Sequence, residues 1–347
     1  MRQIRYTEAI NEALMEEMSR DETVYIIGEC ATAEPMGAHK GLVEKFGKDR
    51  VKDAALSEPA IIGSCVGAAL GGYRPIANMR FSDFIIPALD EVIHKAAKWR
   101  FGHGGKQKIP LVIIAAIGGY IGAGPEHSQC LESIIMHTPG LKLAIPTTPY
   151  DAKGLLKTAI RDNNPVVYFF HKLFIGTKGE VPEEEYTIPF GVADIKRQGK
   201  DVTVVATGYM VQMALGVANQ LQERGINIEV IDPRTLEPLD IDTIVASVKK
   251  TKRVVIVDED TLQCGVTGEI GMQIVERAFD YLDAPIQRVG SANLPIPGGF
   301  FERYVLPQPQ DIADATGKVL GLKERLSVMA PERQTFHASE KLHLEQK

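Results

Sequence analysis

The apolar run Ile109-Pro110-Leu111-Val112-Ile113-Ile114-Ala115-Ala116-Ile117 leads directly into Gly118-Gly119-Tyr120-Ile121-Gly122-Ala123-Gly124-Pro125-Glu126-His127-Ser128-Gln129. The length and uniform apolarity of the first part suit a strand buried on both faces, as in a parallel sheet. The second part is a glycine-rich bend that delivers a histidine to the start of a helix continuing through Cys130 to Met136. Loops that leave the C-terminal ends of parallel strands are where open α/β sheets place their chemistry. Glycines let backbone approach a ligand closely, and an imidazole exchanges protons near neutral pH. The same residues also describe a surface loop whose histidine merely caps a helix.

Outward from this stretch, helical and strand patterns alternate. Ile10, Ala13, Leu14 and Met18 fall at helical spacing, and Thr23 to Ile27 reads as a strand ending in Gly28-Glu29. Small and apolar residues from Ile61 to Leu70 predict a tightly packed helix starting near Ser57 or Pro59, with serine suited to the cap and proline to the first turn. Further strands are expected at 75–79, 111–116, 142–145 and 166–170, with helices at 84–99 and 149–161. A second series follows: a strand at 201–206, a helix through Ala214 and Leu221, then strands at 226–231, 253–257 and 285–289. Between the two series lies Lys178-Gly179-Glu180-Val181-Pro182-Glu183-Glu184-Glu185, which has little apolar periodicity. The expected fold class is therefore α/β, with two doubly wound domains at residues 1–185 and 186–325 and a polar tail at 326–347.

Composition narrows the function. The 347 residues carry a net charge of −6 with Lys and Arg scattered, which argues against nucleic acid as a partner. No stretch is apolar for long enough to span a bilayer, and no membrane partner is expected. Cys30, Cys65, Cys130 and Cys264 are far apart, a pattern of reduced thiols in a cytoplasmic protein. The sequence has no G-x-G-x-x-G after a strand, no P-loop, no H-E-x-x-H and no G-x-S-x-G, which removes the commonest nucleotide, zinc and serine chemistries.

Three short motifs remain. Ser57-Glu58-Pro59 sets a carboxylate at a helix start, a position that the helix dipole favours on its own. Phe81-Ser82-Asp83-Phe84 sets two aromatics just past a strand, where buried phenylalanine is the ordinary case. Arg161-Asp162-Asn163-Asn164-Pro165 reads as a turn that closes a helix, and its oxygens could equally hold a cation.

Taken in order, these motifs resemble one family. From Arg5-Tyr6-Thr7-Glu8-Ala9 to about Val319 the chain resembles the β subunit of thiamine-diphosphate-dependent 2-oxo acid dehydrogenases, the E1 component of pyruvate, branched-chain 2-oxo acid and acetoin dehydrogenase complexes. The likeness runs through Leu56-Ser57-Glu58, Phe81 to Phe84, His127-Ser128-Gln129, Thr138 to Lys142, Tyr150 to Leu155, Asp162 to Val166, Gly179 to Pro182 and Arg234 to Asp240. It implies a pyrimidine-binding domain followed by a transketolase C-terminal-like domain. It further implies that Glu58 hydrogen-bonds the aminopyrimidine ring of thiamine diphosphate, that Phe84 packs against that ring and that Leu56 lies beside it on a strand end. His127 corresponds to the histidine that assists substrate addition and acyl transfer to the lipoyl group of the E2 acyltransferase. Leu111, Ala159, Ile160, Asp162 and Asn164 correspond to a potassium site. The family's Gly-Asp-Gly…Asn segment for Mg²⁺ and diphosphate is missing here. The resemblance assigns that segment to an α subunit, so the cofactor is shared within an α₂β₂ heterotetramer.

The sequence departs from the family pattern at Pro59-Ala60, at Gly28-Glu29-Cys30, in Ile113 to Ile117 and at Glu126 beside His127. A carboxylate at position 126 disfavours a negatively charged substrate nearby, which keeps acetoin open beside the 2-oxo acids. The C-terminal half of a split transketolase and a non-catalytic assembly subunit are the remaining alternatives. The glycine loop itself suits a mobile gate for the lipoyl arm.

Overall fold

The computed structural model describes residues 1–329. Its larger sheet has seven strands in the order Thr235–Glu237, Lys142–Ala144, Val166–His171, Val112–Ile117, Arg74–Phe81, Val24–Gly28 and Val51–Asp53. All neighbours run parallel except Thr235–Glu237, which adds antiparallel to Lys142–Ala144. Strand Val112–Ile117 lies at the centre, and its residues alternate between faces as a period of two requires. Ile113, Ala115 and Ile117 join one core, while Val112, Ile114 and Ala116 join the other.

The helices Tyr6–Arg20 and Pro149–Arg161 cover the second of these faces. They are also clamped by charge: Lys153 and Lys157 are fully buried and meet Glu16 at 2.6 and 2.5 Å. Arg161 meets the buried Glu17 at 2.6 Å. The two-stranded pairing of Arg2–Arg5 with Lys178–Val181 ties the start of the chain to the segment after the first sheet.

The second sheet has five strands in the order Gln287–Ser291, Val254–Thr261, Val202–Ala206, Ile228–Asp232 and Asp194–Arg197. Its outer face packs against helices Tyr209–Gln222 and Pro309–Val319. Its inner face and the helices Ile241–Thr251 and Val266–Ala278 share a single apolar cluster with the first sheet. Strand Thr235–Glu237, which follows the second sheet's Ile228–Asp232, therefore completes the first sheet across a common core.

Several local expectations change. The segment read as one helix at 84–99 begins as 3₁₀ turns at Ser82–Ala88, widens through π-type turns at Asp90–Ala96 and becomes α-helical only at Ala97–Gly102. Pro87 inside it supplies no backbone N–H, which breaks a regular α ladder. Helix Glu58–Leu70 forms as expected with Pro59 in its first turn, but the Ser57 side chain makes no capping bond. Residues 326–329 lie against the second unit, with Leu326 buried there, while residues 330–347 of the expected tail fall outside the described residues.

The chain order of the first sheet reverses between Val24–Gly28 and Arg74–Phe81, since Val51–Asp53 lies on one side and all later strands on the other. Ligands of open α/β sheets bind outside the strand ends at such a reversal. Gly28 is required there, because a Cβ would stand 2.3 Å from the Asn78 carbonyl oxygen of the adjacent strand. No helix among the described residues is long and apolar enough to cross a membrane.

Candidate active site

Three loops leave the C-terminal ends of the central strands and meet. The Arg74–Phe81 strand delivers Phe81 and Phe84, and the Val112–Ile117 strand delivers the glycine loop with His127. The three rings form an edge-to-face cluster, with centroids 5.7 Å apart for Phe81 and Phe84, 5.1 Å for Phe81 and His127, and 5.5 Å for Phe84 and His127. Such geometry matches ring edges to ring faces and orients the imidazole, whose nitrogens accept or donate no hydrogen bond among the described residues. The third loop begins at His171-Lys172, where the Lys172 ammonium donates to the His127 backbone carbonyl.

The helix expected to start at His127 starts instead at Glu132. His127 lies in a turn, its amide donating to the Gly124 carbonyl at 3.3 Å. Nor is the glycine loop a free gate. Its Gly119 amide donates to Glu259 at 2.5 Å and its Gly122 amide to Glu302 at 3.0 Å, both acids coming from the second domain. Gly299 donates back to the Gly122 carbonyl at 3.1 Å, and the Tyr120 hydroxyl donates to the Pro307 carbonyl at 2.8 Å. Gly118 carries φ +90°, and a Cβ there would overlap the His171 ring at 1.9 Å. The exit of the loop is tied down as well, through Ser82 to the Gln129 carbonyl and Gln129 to Asp83.

Glu58 begins helix Glu58–Leu70 just beyond strand Val51–Asp53, on the other side of the sheet reversal from Phe84. It is half-buried, and its carboxylate has no ion-pair or hydrogen-bond partner among the described residues. Leu56, expected on a strand end, lies in the connection before that helix and is 71% exposed. An unengaged carboxylate at the strand ends and a half-buried aromatic ring suit a nitrogen-bearing aromatic ring, so these residues fit the pyrimidine end of thiamine diphosphate.

The transketolase pyrimidine-binding domain family matches residues 2–176, and the transketolase C-terminal domain family matches residues 191–312. Among similar proteins, acetoin:2,6-dichlorophenolindophenol oxidoreductase subunit beta of Bacillus subtilis (strain 168) is 44% identical over 335 residues, 92% of this chain and 98% of that one. From the same organism, 2-oxoisovalerate dehydrogenase subunit beta is 42% identical over 89% of this chain and 96% of its own. Pyruvate dehydrogenase E1 component subunit beta is 41% identical, with 92% and 99% covered. The chain belongs to the E1 β-subunit family. A solved structure titled split gene transketolase, inactive beta4 tetramer, overlays with a TM-score of 0.74 over 92% of this chain and all of the other. At 23% identity that likeness carries the fold alone.

The E1 β resemblance also singled out Leu111, Ala159, Ile160, Asp162 and Asn164. The structure sets Ala159, Ile160, Asp162 and Asn164 at the end of helix Pro149–Arg161 and the turn after it, and Leu111 just before the central strand, with the Arg74 guanidinium on Ile160 and Asp162. Arg74 donates to the carbonyls of Ile160 at 3.0 Å and Asp162 at 2.8 Å. The Leu111 carbonyl accepts from the Val166 amide, and the Ala159 carbonyl from the Asp162 amide. Against the effect of burial, Lys142 and the Asn164 donors hold the Asp162 carboxylate below its usual value. Arg100 donates to the Asn164 side chain at 2.5 Å.

Beneath the exit of the glycine loop lies a group that sequence reading missed. Glu132, Asp258 and Asp260 bring their carboxylate oxygens within 4.8 Å of one another, across the boundary between the two sheets. The Asp258 carboxylate accepts from the Thr207 hydroxyl and, at 2.7 Å, from the Asp260 amide. Burial, and then the Asp260 carboxylate, push Asp258 up to about 7, and burial pushes Glu132 well above the carboxylate range. Folded chain thus keeps a proton that unfolded chain loses at about pH 4. Through Asp258, stability therefore falls as pH rises from about 4 to 7, and Glu132 extends the fall to higher pH. Asp258→Asn is expected to flatten that slope and to raise the thermal midpoint at pH 8 more than at pH 5. Parallel pH profiles for parent and variant would refute it.

Proposed function

We propose that this chain is the half of a thiamine diphosphate site that receives the pyrimidine and the substrate in a 2-oxo acid dehydrogenase. The reaction would decarboxylate a 2-oxo acid oxidatively and pass the acyl group to the lipoyl group of an E2 acyltransferase. The observation that carries this reading is the meeting of Phe84, Phe81 and His127 at a sheet reversal that also bears Glu58, which has no partner among the described residues. When bound, the cofactor supplies the electron sink of the decarboxylation. The Glu58 carboxyl exchanges a proton with the ring nitrogen, and Phe84 supports the ring face. His127, oriented by two phenyl edges, moves a proton at the substrate oxygen. An α subunit in an α₂β₂ assembly is proposed to hold Mg²⁺ and the diphosphate, because the family's segment for them is missing here.

The exposed carboxylate of Glu126, beside His127, supports a second reading in which the substrate is a neutral hydroxyketone such as acetoin. The four free cysteines support a reducing compartment such as the cytoplasm.

In the chain assembled with its α partner, Glu58→Gln and His127→Ala are each expected to lower decarboxylation by about 100-fold or more. A panel of 2-oxo acids and acetoin, followed by dye reduction, reads both the loss and the substrate. Turnover within a few-fold of the parent for Glu58→Gln would sink the assignment.

We also propose that the carbonyls of Leu111, Ala159, Ile160, Asp162 and Asn164 take a potassium ion. Each carbonyl carries two lone pairs, so the bonds to Arg74 and to backbone amides leave acceptors free. Potassium chloride is then expected to raise the melting midpoint above that in tetramethylammonium chloride of equal ionic strength. Equal midpoints would count against the site.

A further inference from the structure

Lys172 follows the last residue of strand Val166–His171 and is only 5% exposed. Its ammonium makes no ion pair among the described residues. It donates to the His127 carbonyl and lies 5.2 Å from the centroid of the Phe81 ring. Burial lowers its pKa, and the acids around it (Glu259, Asp83 and Glu302) oppose that only through space. A buried ammonium without a contacting carboxylate is costly, and an apolar side chain of the same length would fill this volume at less expense. What the lysine adds is a directed grip. One carbonyl and one π face receive its charge, and they belong to His127 and to the ring that packs on His127.

We propose that Lys172 is a positioning residue for His127, fixing the backbone of the glycine loop so that the imidazole stays on the edge of Phe81. This rests on the reading of His127 as a catalytic residue. The loop has few other restraints at that point, since among the described residues the His127 amide makes one bond, the 3.3 Å turn bond to Gly124. The neighbouring His171 adds a second anchor: its Nδ1 accepts from the Leu173 amide, so Nε2–H donates to Glu259 at 2.9 Å. Lys172 thereby transmits the position of the second domain to the histidine.

The test uses the chain assembled with its α partner, thiamine diphosphate and Mg²⁺, and compares Lys172→Met, Lys172→Arg and His127→Ala. Lys172→Met is expected to lower kcat by about 30- to 100-fold, the scale of a small misplacement, with KM within about twofold. The number of competent sites, counted by cofactor titration, stays at the parental value. Lys172→Arg, which keeps the donor and the cation, recovers kcat to within about fivefold. Where Lys172→Met does not assemble, Lys172→Gln is read by the same kcat and site-count criterion. A parental kcat in Lys172→Met or Lys172→Gln alongside a disabled His127→Ala overturns the proposal. So does a loss explained wholly by fewer competent sites. An active His127→Ala instead overturns the catalytic reading beneath it.

Discussion

Glu259 reaches from near the C-terminal end of its strand in the second sheet into the loops of the first, and both of its oxygens are engaged there. One accepts from the Gly119 amide, and the other from the His171 ring. Glycine-rich backbone has no preferred conformation of its own, so a loop with glycines at 118, 119, 122 and 124 must be fixed from outside. Glu259 and Glu302 do this by accepting amide hydrogens, and their burial makes each bond strong and its loss expensive. The path of the glycine loop toward His127 is thus held at Gly119 and Gly122 by acids of the second domain. The shared apolar core between the sheets keeps the two carboxylates in reach.

The remainder of the site follows from strand order. The sheet reverses between Val24–Gly28 and Arg74–Phe81, with Glu58 following a strand on one side of that reversal and Phe84 a strand on the other, the place where such sheets bind ligands. Two adjacent strands farther in deliver His127 and Lys172 toward the same aromatic ring. Phe84 and Lys172 sit close beyond rigid strands, an arrangement that lends precision to side chains on otherwise irregular backbone, while His127 lies farther out on the glycine loop.

Much of this was legible in the sequence, for reasons tied to particular residues. Val112 to Ile117 read as a buried strand because both faces are covered, leaving no polar alternation to confuse it. Helix Pro149–Arg161 was clear from its proline start and its turn at Asp162 to Pro165. Short strands such as Val51–Asp53 and Thr235–Glu237 were not, since three residues carry no period and their pairing is tertiary. The irregular helix after Phe81 was missed because apolar periodicity outweighed the signal of Pro87. Asp258-Glu259-Asp260, on a strand of the second sheet, is an acidic run whose three residues are all buried, because Gly119 and Glu132 from the first unit meet them there. The single Lys172 amid aromatic and apolar neighbours was the only local clue to the grip on His127.

The central claim is that this chain holds one half of a shared cofactor site. Calorimetric titration of Mg²⁺ and thiamine diphosphate into the isolated chain, and into the chain assembled with its α partner, tests it most directly. Tight binding that appears only in the assembly is the predicted result, with Glu58→Gln weakening it. Equally tight binding by the isolated chain would contradict the account.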